Sequence, residues 1–108
     1  MTTSVQSAFR ALADPSRRMM LMHLSERDMT IAEVADRFAM TRAAVKKHLT
    51  VLEQGQLISV HPQGRTRINR LEPQALKSVA DWLAYFDRFW ARKLDKLHQA
   101  IEKEGNQR

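Results

Sequence analysis

Apolar residues recur every three or four positions in the first half of the chain, which is the pattern of helices that bury one face. Ser4 is placed to cap a first helix, and Asp14 followed by Pro15 is a start signal for a second helix that runs to about Leu24. The apolar face of the first helix consists of Val5, Ala8, Phe9 and Leu12. The inward positions of the second helix are Met20, Leu21 and Leu24.

Two further helices joined by a tight turn are predicted next. Thr30 and Glu33 have the spacing of a capping box, in which each side chain accepts from the other residue's backbone N–H, and they open a third helix. After a turn at 39–40, Thr41 caps a fourth helix that ends at a C-terminal glycine, Gly55. The inner faces of the two helices consist of Ile31, Val34, Ala35 and Phe38, and of Val45, Leu49 and Leu52.

The pattern then changes from helix to strand. Residues 57–60 and 66–71 alternate as strands do, and 61–65 provides the turn of a β-hairpin. Pro73 opens a last helix that extends to about residue 104 without an internal proline or glycine. Two short helices with a tight turn, followed directly by a hairpin, predict a mainly α fold with a small β-hairpin wing, the winged helix-turn-helix.

Positive charge is concentrated in this same region. The chain has a net charge of +6, and the window 41–70 contains six basic residues against one acid, Glu53. A phosphate-binding surface concentrates charge in this way, whereas a generally basic protein spreads it. The composition therefore indicates a nucleic-acid partner.

The helix over 41–54 presents Arg42, Lys46 and Lys47 on the face opposite its apolar positions, together with the small side chain of Ala43. Arginine and lysine donate to guanine or to phosphates in the major groove, and an alanine contacts a thymine methyl group. In the hairpin, Arg65 and Arg67 flank the tip and suit a phosphate or minor-groove contact. The alternative is that both sets are merely solvated surface charges.

The order of three motifs resembles the ArsR/SmtB family of winged-helix repressors: ALADPSRR at the entry to the second helix, T-x-x-x-V-x-x-H-L-x-x-L-x-x-x-x-L-I from Thr41 to Ile58, and G-R-x-R in the wing. The similarity extends from about Phe9 to Leu71. It implies a homodimeric repressor that reads an inverted-repeat operator through the fourth helix and the wing. The residues then assigned to double-stranded DNA are Thr41, Arg42, Ala43, Lys46, Lys47, His48, Arg65 and Arg67. For His48, a role in helix packing is an equal alternative.

The last helix is too apolar for its position. One stripe consists of Val79, Leu83, Phe86, Trp90, Leu94, Leu97 and Ile101, and a second of Trp82, Tyr85 and Phe89. A domain of this size cannot bury both stripes, so a homodimer is expected. Its interface is predicted to include Val5, Phe9, Trp82, Leu83, Phe86, Phe89, Trp90 and Leu97. The aromatic cluster is alternatively a site for a small ligand or a regulatory protein. A protein-interaction module that never contacts DNA is the alternative for the whole chain.

We therefore expect one domain over 1–108, with the helix-turn-helix at about 30–55, the wing at about 57–71, and dimerisation through the N-terminal helix and the 73–104 helix. No cofactor, metal or membrane insertion is expected. The chain has no cysteine, and its last helix offers only Asp95, His98 and Glu102 as ligands, without a second histidine.

An enzyme is not expected either. No serine has a base and an orienting acid nearby in sequence, among Ser16, Ser25, Ser59 and Ser78. The N-terminus lacks the features of a signal peptide, so the expected location is the cytoplasm. The residues do not identify an operator or an inducing signal.

Overall fold

The computed structural model describes the backbone of residues 2–106 and the side chains of residues 5–105. Its elements follow the predicted order of four helices and a hairpin, and two helices stand where one last helix was predicted. They are α1 (Thr2–Leu12), α2 (Pro15–Glu26), β1 (Met29–Thr30), α3 (Ile31–Ala35), α4 (Arg42–Gln54), β2 (Ile58–Gln63), β3 (Thr66–Leu71), α5 (Pro73–Ala84) and α6 (Asp87–Asn106). The strands form one antiparallel sheet in the order β1-β3-β2. This confirms the mainly α fold with a small wing.

Side-chain caps fix the starts of the middle helices. Asp14 accepts a hydrogen bond from the backbone N–H of Arg17 at 3.0 Å and so caps α2. The capping box of α3 is present in full, with Glu33 N donating to Thr30 Oγ1 at 3.2 Å and Thr30 N donating to Glu33 Oε1 at 3.0 Å. Thr41 caps α4, as predicted. These local signals fix the residues at which α2, α3 and α4 begin.

The core lies where α1, α2, α3 and α4 meet the sheet. The side chains that lose nearly all contact with solvent there include Ala8, Met20, Leu24, Met29, Val34, Val45, Leu49, Leu52 and Leu57. Asn69 of β3 is the buried polar residue of the described chain, and its Nδ2 donates to the carbonyl of Met29 at 3.1 Å. This bond ties β3 to β1, a short strand that the sequence analysis did not predict.

The first and third helices differ from prediction. Helix α1 begins at Thr2, so Ser4 lies within it and is not its cap. Helix α3 ends at Ala35, because the backbone N–H groups of Arg37 and Phe38 bond three residues back and tighten the last turn. Phe38 nevertheless packs against the core from the connection that follows.

The hairpin turn is shorter than the predicted 61–65. Gln63 pairs with Thr66, which leaves a turn of only Gly64 and Arg65. Gly64 has φ +62°, a conformation that favours glycine and permits a two-residue turn. Pro62 is therefore part of β2, where it is tolerated because β2 is an edge strand.

The predicted 73–104 helix is in fact two helices, interrupted at Tyr85 and Phe86 although neither is a helix breaker. Their backbone N–H groups bond three residues back, to Trp82 and Leu83. The rings of Trp82 and Phe86 lie 5.1 Å apart, and Trp82 packs edge-on against Phe9 of α1 at 5.5 Å. This packing holds α5 on α1, while α6 projects into solvent.

The projection makes the molecule elongated. Its longest dimension is 68 Å and its radius of gyration is 19.5 Å, against about 13 Å for a compact chain of this length. Every described side chain of α6 is exposed. In the described part of the chain, no helix is both long and apolar enough to cross a membrane.

Candidate nucleic-acid interface

Helix α4 lies on the core with one face and presents the opposite face to solvent. The buried side is formed by Val45, Leu49 and Leu52. Thr41, Arg42, Ala43, Lys46 and Lys47, all predicted to contact DNA, are exposed. The Oγ1 atom of Thr41 accepts from Ala44 N at 3.1 Å and so caps the helix. Thr41 thus positions α4, and its hydroxyl keeps its O–H donor and one lone pair for a ligand.

The wing brings Arg65 and Arg67 next to the start of α4. Arg42, Arg65 and Arg67 line one open cleft of about 330 Å³, whose other walls come from the start of α3 and from Thr66. A second cleft of about 190 Å³ continues between α4 and the wing, and Lys46 and Arg67 line it. Cations that are far apart in sequence therefore share one groove.

The cations of this region have no partner within the described part of the protein. No hydrogen bond or ion pair to a described residue is made by the side chains of Arg42, Lys46, Lys47, Arg65 and Arg67. Arginines elsewhere do have partners: Arg27 pairs with Glu33 at 2.7 Å and Arg37 with Glu26 at 3.3 Å. Such unpaired charges are available to an external anion.

Arg70 differs from the other basic residues of the 41–70 window. Its Nε lies 3.0 Å from Asp28 Oδ2, so its charge is balanced within the protein. The charge of the 41–70 window includes Arg70, because its partner Asp28 lies outside that window in the sequence.

His48 packs between helices. It is half-buried, with Nδ1 at 3.3 Å from Arg17 Nη1 and 3.9 Å from Asp14 Oδ2. The Arg17 backbone N–H, with a further contribution from the Arg17 guanidinium charge, lowers the pKa of Asp14. This geometry favours the packing alternative for His48 over contact with DNA.

Arg17 is a structural residue that the sequence analysis did not single out. Its Nε donates to the carbonyl of Ala11 at 2.7 Å and its Nη2 to that of Arg10 at 3.1 Å. Arg18 donates to the carbonyl of Leu12 at 2.7 Å. These arginines of the ADPSRR motif thus satisfy the last carbonyls of α1, and two basic residues just after a helix-ending Asp-Pro were the available signal.

The predicted dimer-interface residues lie on α1, α5 and α6 or beside them, and ring contacts join Phe9, Trp82, Phe86 and Phe89 in series. Trp82 and Leu83 are each 53% exposed and Trp90 is 65% exposed, although all three are large and apolar. Val5, Phe9 and Phe86 are half-buried beside them. Tyr85, Leu94 and Ile101 are as exposed as these, so the apolar surface extends beyond the predicted set.

The remaining chemical candidates are dispersed. In the described residues, no three histidine, aspartate or glutamate side chains come close enough to hold a metal ion. Ser59 does have a neighbouring imidazole, since its Oγ lies 2.7 Å from His61 Nε2. The nearby carboxylate of Glu72 accepts from Ser59 at 2.9 Å and does not orient His61, so this is not the arrangement of a nucleophile, a base and an orienting acid.

Comparison with known proteins gives a consistent result. A helix-turn-helix domain family matches residues 12–61. The chain is 35% identical over 103 residues to the HTH-type transcriptional regulator Rv2034 of Mycobacterium tuberculosis, covering 95% of this chain and 94% of that protein. It is 30% identical to the transcriptional repressor SdpR of Bacillus subtilis, covering 76% of this chain and 91% of that one. The crystal structure of the ArsR family transcriptional regulator RHA00566 superimposes with a TM-score of 0.74 at 36% identity, over 82% of this chain and 97% of that one.

Proposed function

We propose that this chain is a homodimeric repressor of an inverted-repeat operator. It belongs to the ArsR/SmtB family of winged helix-turn-helix transcriptional regulators, which bind DNA and are not enzymes. The observation that carries the proposal is the set of unpaired cations on α4 and the wing, Arg42, Lys46, Lys47, Arg65 and Arg67. A duplex supplies the missing anions, with α4 in the major groove and the wing beside it. The protein then works in the cytoplasm, where bacterial DNA lies.

The exposed surface of α6 supports the homodimer. Trp90, Leu94, Leu97 and Ile101 follow one another at spacings of four, three and four, which is the seam of a coiled coil. Each is more than half exposed, and a surface helix in a monomer rarely leaves such a seam in solvent. A second copy of the same seam covers it by two-fold symmetry. In such a dimer, two α4 helices reach half-sites separated by one turn of DNA.

The first experiment tests sequence-specific binding. The purified full chain selects fragments from sheared genomic DNA, and the enriched sequences are aligned. We expect an inverted repeat that the protein binds far more tightly than a scrambled duplex of equal length. Equal affinity for the two duplexes would reject sequence-specific recognition.

The second experiment tests the dimer. Leu97→Asp places a charge on the seam, whereas Gln99→Asp places the same charge on another side of α6. By sedimentation equilibrium, we expect the Leu97 variant to be a monomer with weakened binding to the inverted repeat, and the Gln99 variant to remain a dimer. Two dimeric variants would contradict the assignment of α6 to the interface.

Repression is tested with a reporter gene behind the selected operator. We expect expression to rise when the protein is deleted or when Arg42 and Lys47 are both changed to glutamate. A double variant that regulates normally would instead support the alternative, a protein-interaction module that acts through its aromatic surface. A regulatory protein or small ligand that binds this surface would relieve repression, and it would be found by its effect on the reporter with the wild-type chain.

A further inference from the structure

The cations of α4 lie on two sides of its exposed face. Arg42 and Lys46 line the clefts between α4 and the wing, whereas Ala43 and Lys47 line neither cleft. Residues four apart on a helix differ by about 40° in direction, and neighbouring residues by about 100°. Lys47 therefore points away from the wing, although the sequence presents Lys46 and Lys47 as equivalent.

The two clefts adjoin each other. Arg67 and Ile31 line both of them, so Arg65 and Arg42 at one end connect through Arg67 to Lys46. We call these four cations the wing-side track. Of the hydroxyl groups near the track, that of Thr66 donates to the carbonyl oxygen of Gln63, whereas that of Thr30 accepts from the backbone N–H of Glu33 and keeps its own O–H donor.

Glu53 limits the track at its far end. It lines the cleft that contains Lys46, and it lies about two helical turns beyond that lysine. Its carboxylate repels an anion there, so the favourable stretch runs from Arg65 to Lys46 only.

The geometry of a duplex identifies what crosses this groove. With α4 in the major groove and the wing at the adjoining minor groove, the sugar-phosphate backbone that separates the two grooves must pass between them. Guanidinium groups bind the oxygens of a phosphate in a bidentate manner. The cleft thus offers cations where the backbone passes.

We propose that the wing-side track holds consecutive phosphates of one DNA strand, and that Lys47, beside the small Ala43, is the cation of α4 that reads base edges. The inference rests on the proposed function and assigns separate roles within it. Arg42, Lys46, Arg65 and Arg67 provide affinity without sequence preference, and Lys47 provides discrimination between sequences.

The test measures dissociation constants by fluorescence anisotropy for the selected operator and for a scrambled duplex, over a range of salt concentrations. Arg42→Ala and Arg67→Ala should weaken binding to both duplexes by the same factor and reduce the slope of log K against log salt by about 0.9 for each lost phosphate contact. Lys47→Ala should reduce the preference for the operator. Glu53→Gln should strengthen binding to both.

Arg70→Ala is the matched control, because Arg70 is a wing arginine whose charge is already balanced by Asp28. It should leave the salt slope unchanged. Thermal unfolding of each variant shows that the fold is retained. A duplex with a methylphosphonate at the phosphate facing the wing gives a further check. On that duplex, Arg42→Ala should have the same dissociation constant as the wild type, because the charge that Arg42 contacts is absent.

Three results would overturn the inference. One is a loss of operator preference in Arg42→Ala with an unchanged salt slope, which would make Arg42 the base reader. Another is an equal loss of affinity for both duplexes in Lys47→Ala. The last is displacement of DNA by inorganic phosphate beyond the effect of chloride at equal ionic strength, which would assign the cleft to a free anion.

Failure of the proposed function gives a different result. The wild-type chain would then bind operator and scrambled duplex equally. Phosphate binding by the wing-side track would still be tested on the scrambled duplex alone, by comparing the salt slopes of Arg42→Ala and Arg70→Ala.

Discussion

Replacing Gly55 with alanine tests how closely α1 approaches the recognition helix α4. Gly55 is buried at the end of α4 with φ −81°, a conformation that any residue adopts. A Cβ atom there would lie 2.9 Å from the backbone oxygen of Ser7 and 3.3 Å from both the Cβ of Ala11 and the Cα of Ala8. The glycine is therefore required by the space between two helices and not by backbone conformation.

The size of the effect follows from two opposing contributions. Overpacking of a core costs about 1–3 kcal/mol, and here the obstacle is backbone, which cannot rotate away. The loss of glycine's freedom in the unfolded chain returns about 0.4–1 kcal/mol. We expect a net destabilisation of about 1–2 kcal/mol, or a fall in Tm of about 4–9 °C for a domain of this length.

The assay is thermal and urea unfolding at one fixed protein concentration, because association adds to apparent stability. Gly105→Ala is the matched control, since nothing lies within 4 Å of a Cβ at that position. It should leave stability unchanged or raise it slightly. A Gly55→Ala protein as stable as the wild type would refute the close approach of α1 and α4.

Three further substitutions test individual contacts. The backbone N–H of Thr30, together with the Arg27 guanidinium, lowers the pKa of Glu33. The ionised Glu33 therefore stabilises the folded protein at pH values above its unfolded pKa of about 4.3, and this contribution is lost as the pH falls through the folded pKa. Glu33→Gln should therefore flatten the dependence of Tm on acid pH, and an unchanged pH profile would contradict this. Asn69→Asp replaces a buried donor with a carboxylate and should lower the free energy of unfolding in urea by about 3 kcal/mol or more at neutral pH. Part of this stability should return in acid, as the carboxyl group is protonated, and a decrease that does not depend on pH would contradict the prediction. Gln56→Gly should raise the free energy of unfolding by about 0.5–1 kcal/mol, because Gln56 has φ +59°, in the left-handed region that favours glycine. A lower free energy of unfolding would show that contacts of the Gln56 side chain outweigh the relief of the backbone.

The parts of the fold that were predicted correctly depend on short-range signals. The Asp14-Pro15 start, the capping box of Thr30 and Glu33, and the Thr41 cap each involve residues within one helical turn. The alternation of the hairpin strands is equally local. Such signals suffice to locate helices and strands and to identify the basic face of α4.

The errors arise where distant residues decide the structure. Strand β1 exists because Met29 pairs with Asn69, and the break after Ala84 accompanies the packing of Trp82 on Phe9. The distinction between Lys46 and Lys47 likewise requires the position of the wing. A periodic pattern contains none of this information, because it describes each helix without its neighbours.

The bonds from Arg17 to the carbonyls at the end of α1 have a consequence for operator architecture. They join the N-terminal helix to α2 and, through His48, to α4. Where α1 contributes to the proposed dimer interface, packed side chains therefore connect that interface to α4 and help to fix the distance between the two α4 helices. One base pair inserted between half-sites moves them apart by about 3.4 Å and rotates them about the DNA axis. Such a repressor should tolerate little change in the number of base pairs between the two half-sites. In the same binding assay, it should bind an operator lengthened by a single base pair much more weakly.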